Sequence, residues 1–419
     1  MSTNINGFGL NFNGYNDKLS LLIDMVTDFL KKCVSVTNEG NFKAIKEDLK
    51  QGYSERLLNQ FGGLNAEYFT KALLKRHHTS LELYHEADNF TLEDLEHFST
   101  KFFKKLSIEI LVQGNMTRSQ TLSVIEIVKT NLNVEPLSED MELKQRCYQV
   151  PFGTTTLRIK SLQANDDNSY IKNFYQIGRD TIHIRDLTRL IEMILNPKAY
   201  DYLRTKEQLG YGVACQMEEK GGLIGISIIV LSQENKNSYK KVIAKMDHFM
   251  NEIAKKTIEE LTDDEFMKFK DARIKRLLAE DLDLNTEVAK SWNEIKEHDF
   301  IFERYELSAD DTRTITKSDL QDFFESFTQF ENMRLFSVQV IGNPTTSGGE
   351  PENAKRGDLK LELLTEKLHE NENLITDIEH FRKDLFLHPV VREVAAEVKL
   401  LDSTSKLHKA SSFSYKTNA

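Results

Sequence analysis

Leu203-Arg204-Thr205-Lys206-Glu207-Gln208-Leu209-Gly210-Tyr211 reads as the end of a helix followed by a reversal into a strand. Lys206, Glu207 and Gln208 are good helix formers. Gly210 enters the left-handed region without strain, so it is the expected terminator and structural turn. From Tyr211 onward, Gly212-Val213-Ala214-Cys215 reads as a strand. A long cation, Arg204, and a phenol, Tyr211, are thereby set on either side of a tight turn, where both could reach one cavity. Taken singly, an Arg and a Tyr at a helix end are ordinary solvent-facing groups. The turn between them makes them a candidate pair.

Working outward, strands are expected over residues 154–160 and 169–177, then a helix with Leu187, Leu190, Ile191, Ile194 and Leu195 on one face. Pro197 should break or restart that helix. A strand over 223–232 and helices over 240–256, 263–278 and 286–297 come next. A helix capped by Thr316 and a strand over 335–341, ending in Gly342-Asn343, close the unit. The same script occurs upstream: a helix capped by Thr91, a strand over 108–112, then Gly114-Asn115. Thr91 and Thr316 lie 225 residues apart, Gly114 and Gly342 lie 228 apart, and Phe42 and Phe266 lie 224 apart. Collinear matches at near-constant spacing indicate a domain-sized duplication.

The expected fold is therefore α/β (α+β): two homologous domains, each a mixed β-sheet with helices packed on one face. The first copy is expected to be incomplete at its N-terminus. Its opening strand, Phe8 to Phe12, matches that over 223–232, and nothing before it matches 154–215. A sheet lacking strands leaves an unpaired edge. The expected boundaries are a truncated first domain over 1–133, a linker over 134–150 and a second domain over 151–345. A loop with a partly helical extension over 346–391 and a polar, disordered tail over 392–419 should follow.

The chain has 419 residues, 39% of them hydrophobic and 29% charged, with a net charge of −11. That is a soluble, charge-rich composition, and its sign argues against nucleic acid or an anionic membrane as partner. No signal-peptide pattern opens the sequence, and the longest apolar run, 223–231, is far short of the roughly 20 residues a membrane helix needs. Cys33, Cys147 and Cys215 are few, odd in number and widely spaced, which points to a reducing, cytoplasmic setting.

Among the 11 His, neither His-x-x-Glu-His nor His-Glu-x-x-His occurs. His77, His78, His85 and Glu86 form the one local cluster. His78 and Glu82, four apart, read as a surface salt link before they read as metal ligands. The chain is expected to bind no metal or other cofactor by itself, and the single Trp292 is read as a packing residue.

The nonapeptide ending at Tyr211 resembles the signature of the C-terminal half of the insulysin/nardilysin family, the long zinc endopeptidases of the pitrilysin type with an inverted zinc motif. Gly14-Tyr15-Asn16-Asp17-Lys18-Leu19, Ile110 to Asn115, Ala289 to Ile295 and Ile375 to Arg382 with Leu387-His388-Pro389 are similar to further family stretches. The resemblance implies four homologous α/β domains, zinc in the N-terminal half, and a C-terminal half that closes the chamber. This chain would supply most of the third domain and all of the fourth. Arg204 and Tyr211 would hydrogen-bond the substrate at the scissile peptide. Glu280-Asp281-Leu282-Asp283, where insulysins carry Lys-rich polyanion-binding residues, leans toward the nardilysin branch, which favours dibasic peptides. The implied function is the substrate-binding half of a zinc metalloendopeptidase, acting on peptides with a zinc-bearing N-terminal half in cis or in trans, with homo-oligomers possible. The alternative is a non-catalytic peptide-binding or scaffold protein of the same fold.

Overall fold

The computed structural model describes residues 2–4, 7–33, 35, 37–59, 62–138, 145–163, 166–343, 359–368 and 372–389. The expected loop at 346–358 and tail at 392–419 lie outside the described residues.

The first unit is mainly helical. Strands β1 (Ser2–Asn4) and β2 (Gly7–Gly9) pair as a short antiparallel hairpin, ahead of α1 (Asn16–Leu30), α2 (Glu39–Asn59), α3 (Gly63–Leu73), α4 (Ser80–Glu86) and α5 (Leu92–Phe102). Strand β3 (Lys105–Leu106), helix α6 (Arg118–Leu132) and strand β4 (Glu135–Pro136) follow, with β3 and β4 paired in parallel. Polar caps punctuate the helices as the sequence requires. The Thr91 hydroxyl accepts from the Asp94 amide, and the Asp94 carboxylate accepts from the Thr91 amide, a reciprocal capping box.

The second unit contains β5 (Gly153–Lys160), β6 (Asn168–Arg179), α7 (Ile182–Ala199), β7 (Gly210–Lys220) and β8 (Leu223–Gln233). It continues with α8 (Tyr239–His248), α9 (Lys255–Glu259), α10 (Asp263–Leu277), α11 (Leu284–Lys296), α12 (Arg304–Thr314), α13 (Lys317–Thr328) and β9 (Arg334–Ile341). Strand β10 (Asn373–Leu374) and helix α14 (Ile378–Arg382) end it. The strands form one mixed six-stranded sheet, ordered β10-β5-β9-β6-β8-β7. β5 runs parallel to β9, and the β9-β6-β8-β7 part is antiparallel.

One face of this sheet packs Ile171, Tyr175, Ile226, Ile228 and Val230 against Leu190, Ile191, Met246, Phe249, Leu320 and Phe324 from its own helices. The opposite face is also covered. Leu157, Ile159, Phe174, Phe336 and Val338 meet Phe69 and Leu73 of α3 together with Leu359, Ile375 and Ile378. The Phe69 ring lies edge-on to Phe174 at 5.1 Å and stacks on Phe336 at 5.8 Å. The first unit thus supplies the third layer of the second unit's sheet.

Two strand expectations differ from the structure. Residues 108–112 form no strand, and only Phe8 and Gly9 of the expected opening strand Phe8 to Phe12 are in a ladder. The equivalent β9 owes its strand state to β5 and β6 on either side. No such neighbours flank 108–112 among the described residues. Backbone pairing, and not the apolar run itself, makes a strand.

The same repeat explains an exposed stripe. On α1, Ile23 and Thr27 are buried, and Ile23 packs on Val124, Val128 and Leu132 of α6. Leu21, Leu22, Met25 and Phe29 remain 56%, 46%, 64% and 54% exposed. At the 224-residue spacing, Leu22 and Met25 correspond to Met246 and Phe249, both fully buried against the sheet. An apolar face of this kind drives association. We expect the purified chain to self-associate, and Met25→Lys with Phe29→Lys to shift its sedimentation toward monomer without lowering Tm.

His77, just ahead of α4, carries a separate expectation. Burial, and secondarily Lys71, pulls its pKa from 6.5 down to about 4. The unfolded chain therefore binds the extra proton first, and stability is lost as pH falls from about 6.5 toward 4. His77→Gln should flatten the Tm-versus-pH curve in that window, and an unchanged curve would contradict the assignment.

Candidate functional site

Helix α7 contains Pro197 yet continues to Ala199, and the chain then widens into a π-helical turn over Tyr200–Lys206. Pro197 therefore does not break the helix. The Glu207 amide donates to the Tyr202 carbonyl at 2.9 Å, a bond five residues back. π-Turns of this sort recur at functional sites.

Beneath the turn, Leu203 and Leu209 are buried and anchor it in the core. The Leu209 amide donates to the Leu203 carbonyl at 3.1 Å. From the far side, the Ser232 hydroxyl donates to the Leu209 carbonyl at 2.5 Å, and the Asn237 side-chain Nδ2 donates to the carbonyls of Gln208 and Leu209 at 3.1 and 3.2 Å. Glu207 pairs with Lys245 at 2.8 Å, and that hydrogen bond lowers its carboxyl pKa. Every backbone group named in the reversal has a partner, so the loop is held rigidly.

The left-handed residue is Gln208, at φ +52°, and not Gly210 as expected. Gly210 is required for a different reason. A Cβ there would stand 1.8 Å from the Leu231 carbonyl oxygen and 2.8 Å from its carbon, because β7 begins in close contact with β8.

Immediately after Gly210 the β7–β8 register shifts: Gly210 pairs with Ser232 and Gly212 with Leu231, leaving Tyr211 as the bulged residue. A bulge re-aims a side chain out of the alternating pattern. The Tyr211 ring is half exposed, and burial together with Asp166 raises its pKa above 10. The phenol therefore stays protonated near neutral pH and can donate a hydrogen bond. Arg204, on the outer side of the π-turn, donates to the Tyr200 hydroxyl, with its guanidinium 4.7 Å from the Tyr200 ring centre. Tyr200 escaped sequence reading, although its four-residue spacing from Arg204 was the signal for such a contact.

A cavity of about 290 Å³ lies nearby, walled by Leu57, Asn65, Asp166, Tyr170 and Leu231 among others, but not by Arg204 or Tyr211. The π-turn directs Arg204 back onto Tyr200, and the bulge takes Tyr211 out of the β7–β8 alternation. Leu231, opposite the bulge, and Asp166, whose charge acts on Tyr211, tie the phenol to the cavity's rim.

Among the described residues, no group of three or more His, Cys, Asp or Glu is placed to hold a metal. Glu82, the partner considered for His78, instead caps Thr79 and pairs with Lys71 at 3.1 Å. No described helix is long and apolar enough to cross a membrane.

This architecture is that of known peptidases. Residues 1–86 match the model "Middle or third domain of peptidase_M16", and residues 190–292 match "PQQ synthase PqqF-like, C-terminal lobe domain 4". The crystal structure of pitrilysin superposes with a TM-score of 0.71 at 18% identity, over 90% of this chain and 38% of that one. Fold and sequence place the chain among the M16 peptidases. Within them it is of the insulysin/nardilysin type and matches the C-terminal half. It is 29% identical to nardilysin of Mus musculus over 398 residues, covering 91% of this chain and 33% of the relative. It is 27% identical to the insulin-degrading enzyme of Drosophila melanogaster, covering 96% of this chain and 40% of the relative. The chain thus spans about a third of the length of the curated relatives it matches.

Proposed function

We propose that this chain is the substrate-binding, chamber-closing half of a zinc metalloendopeptidase, with residues 1–133 as the family's third domain and 151–345 as its fourth. The observation that carries the reading is the bulge that turns Tyr211 out of the ladder, on a loop whose carbonyls are tied down by Ser232 and Asn237. Tyr211 donates its phenolic proton, and Arg204 its guanidinium N–H groups, to a peptide carbonyl whose oxygen gains negative charge as the bond is attacked. Fixed donors aimed at developing charge are worth on the order of 10²–10³ in rate each. Zinc, which polarises the attacking water, belongs in this reading to an N-terminal half in cis or in trans; this chain contributes no ligand to it. The three cysteines are free, which supports a reducing, cytoplasmic setting.

The test is steady-state cleavage of a fluorogenic dibasic peptide by the chain assembled with a zinc-bearing half. Arg204→Met should lower kcat/KM by about 10²-fold or more. Lys206→Met should leave it unchanged, because Lys206 is an exposed neighbour paired with Asp201 at 2.9 Å. Equal activity of the Arg204 variant and the parent would remove the role assigned here.

A further inference from the structure

At the end of the sheet remote from the β7–β8 bulge, residues 146–150 run beside 386–388. Tyr148 bridges Leu387, the Gln149 amide donates to the Phe386 carbonyl at 2.8 Å, and the His388 amide donates to the Cys147 carbonyl at 3.0 Å. Cations converge on this ribbon. Arg146 uses Nε and Nη2 on the carbonyls of His388 and Leu387, at 2.7 and 2.8 Å. Arg334 uses Nη1 on the Val150 carbonyl, with its guanidinium 3.6 Å from the Phe152 ring centre. The His388 ring stands edge-on to Phe386 at 5.1 Å.

Arg146 and Arg334 are both half-buried, and among the described residues neither has a carboxylate within ion-pair distance. Burial lowers the His388 pKa, and the charges that lower it further are Arg179, Arg334 and Arg146. In a chain of net charge −11, a half-buried knot of two guanidiniums, those of Arg146 and Arg334, is costly unless an anion joins it. Among the described residues, Nη1 of Arg146 and Nε and Nη2 of Arg334 make no hydrogen bond, and the last two are adjacent donors in the planar fork that suits an oxyanion. Phe152 and Phe386, 61% and 59% exposed, flank the knot with apolar surface. Arg beside exposed aromatic rings is the composition of interface hot spots.

We propose that Arg146, Arg334 and His388 form an anion-binding site, separate from the Arg204–Tyr211 turn, that takes an oxyanion of carboxylate or phosphate type. The two exposed Phe rings favour an anion carried next to an apolar group, such as the free C-terminus of a peptide ending in a hydrophobic residue.

The experiment is calorimetric titration of the full chain at constant ionic strength with three probes: inorganic phosphate, an acetylated tetrapeptide ending in Phe with a free carboxylate, and the same peptide as its amide. One-to-one saturable binding of the acid but not the amide identifies a peptide carboxylate. Binding of phosphate alone identifies a free or phosphoryl oxyanion. Either supports the site, provided that Arg334→Gln weakens binding at least tenfold with Tm unchanged and Arg334→Lys retains part of it. No saturable binding of either anion, or binding left intact in Arg334→Gln, overturns the proposal. Arg146→Gln is the weaker variant, since Arg146 holds two backbone carbonyls, of Leu387 and His388, where Arg334 holds one, of Val150.

Discussion

Tyr211→Phe, in the chain assembled with a zinc-bearing half, is expected to lower kcat by about 10²-fold while leaving Tm within experimental error. The substitution removes one oxygen from a half-exposed ring at a bulge, so packing and ladder hydrogen bonds are untouched. The lost hydroxyl is a donor that the raised pKa keeps protonated through neutral pH. Because the donor acts on charge present mainly in the transition state, the loss should appear in kcat and kcat/KM alike and spare KM. A change confined to KM would mean that Tyr211 only holds the ground-state peptide. An unchanged kcat would mean that it does neither.

Gly210→Ala should be the most damaging single methyl addition in the region, at about 3 kcal/mol or more of stability. The atoms the new Cβ would strike belong to the Leu231 backbone, 1.8 Å away, and cannot swing aside as a side chain does. Relief would require β7 to move off β8 at the bulge, so activity should fall with stability. Denaturant unfolding checks the first, and peptide turnover of the folded fraction checks the second. A neutral Tm would show that the two strands are not held together there. Substituting Gln208 by Gly should do the reverse and stabilise slightly, because Gln208 is the residue with φ +52°.

Much of this was legible from residue order. The strands around 154–160, 169–177, 223–232 and 335–341 and the caps at Thr91 and Thr316 are where apolar period and capping chemistry put them. Local signals sufficed there because a buried strand or a capped helix is encoded by its own residues. Three features were not legible, each for a non-local reason. The run at 108–112 is apolar enough to be a strand, but pairing depends on neighbours. Gly210 looked like a left-handed helix end, but the constraint on it comes from Leu231, twenty-one residues on. Covering of the sheet's second face by Phe69 and Leu73 depends on how two units meet, which no periodicity records. Within the site, Arg204 and Tyr211 stood out by sequence, whereas Ser232 and Asn237, which fix the loop beneath them, are ordinary polar residues until the fold brings them in.

The most direct measurement is zinc content and dibasic-peptide cleavage by the purified chain, alone and after mixing with a zinc-bearing N-terminal half. The account predicts no stoichiometric zinc and no turnover for the chain alone. On mixing it predicts chelator-sensitive turnover that falls by about 10²-fold when Arg204 or Tyr211 is substituted. Chelator-sensitive turnover by the chain alone, with an equivalent of bound zinc and no co-purified partner, would contradict it.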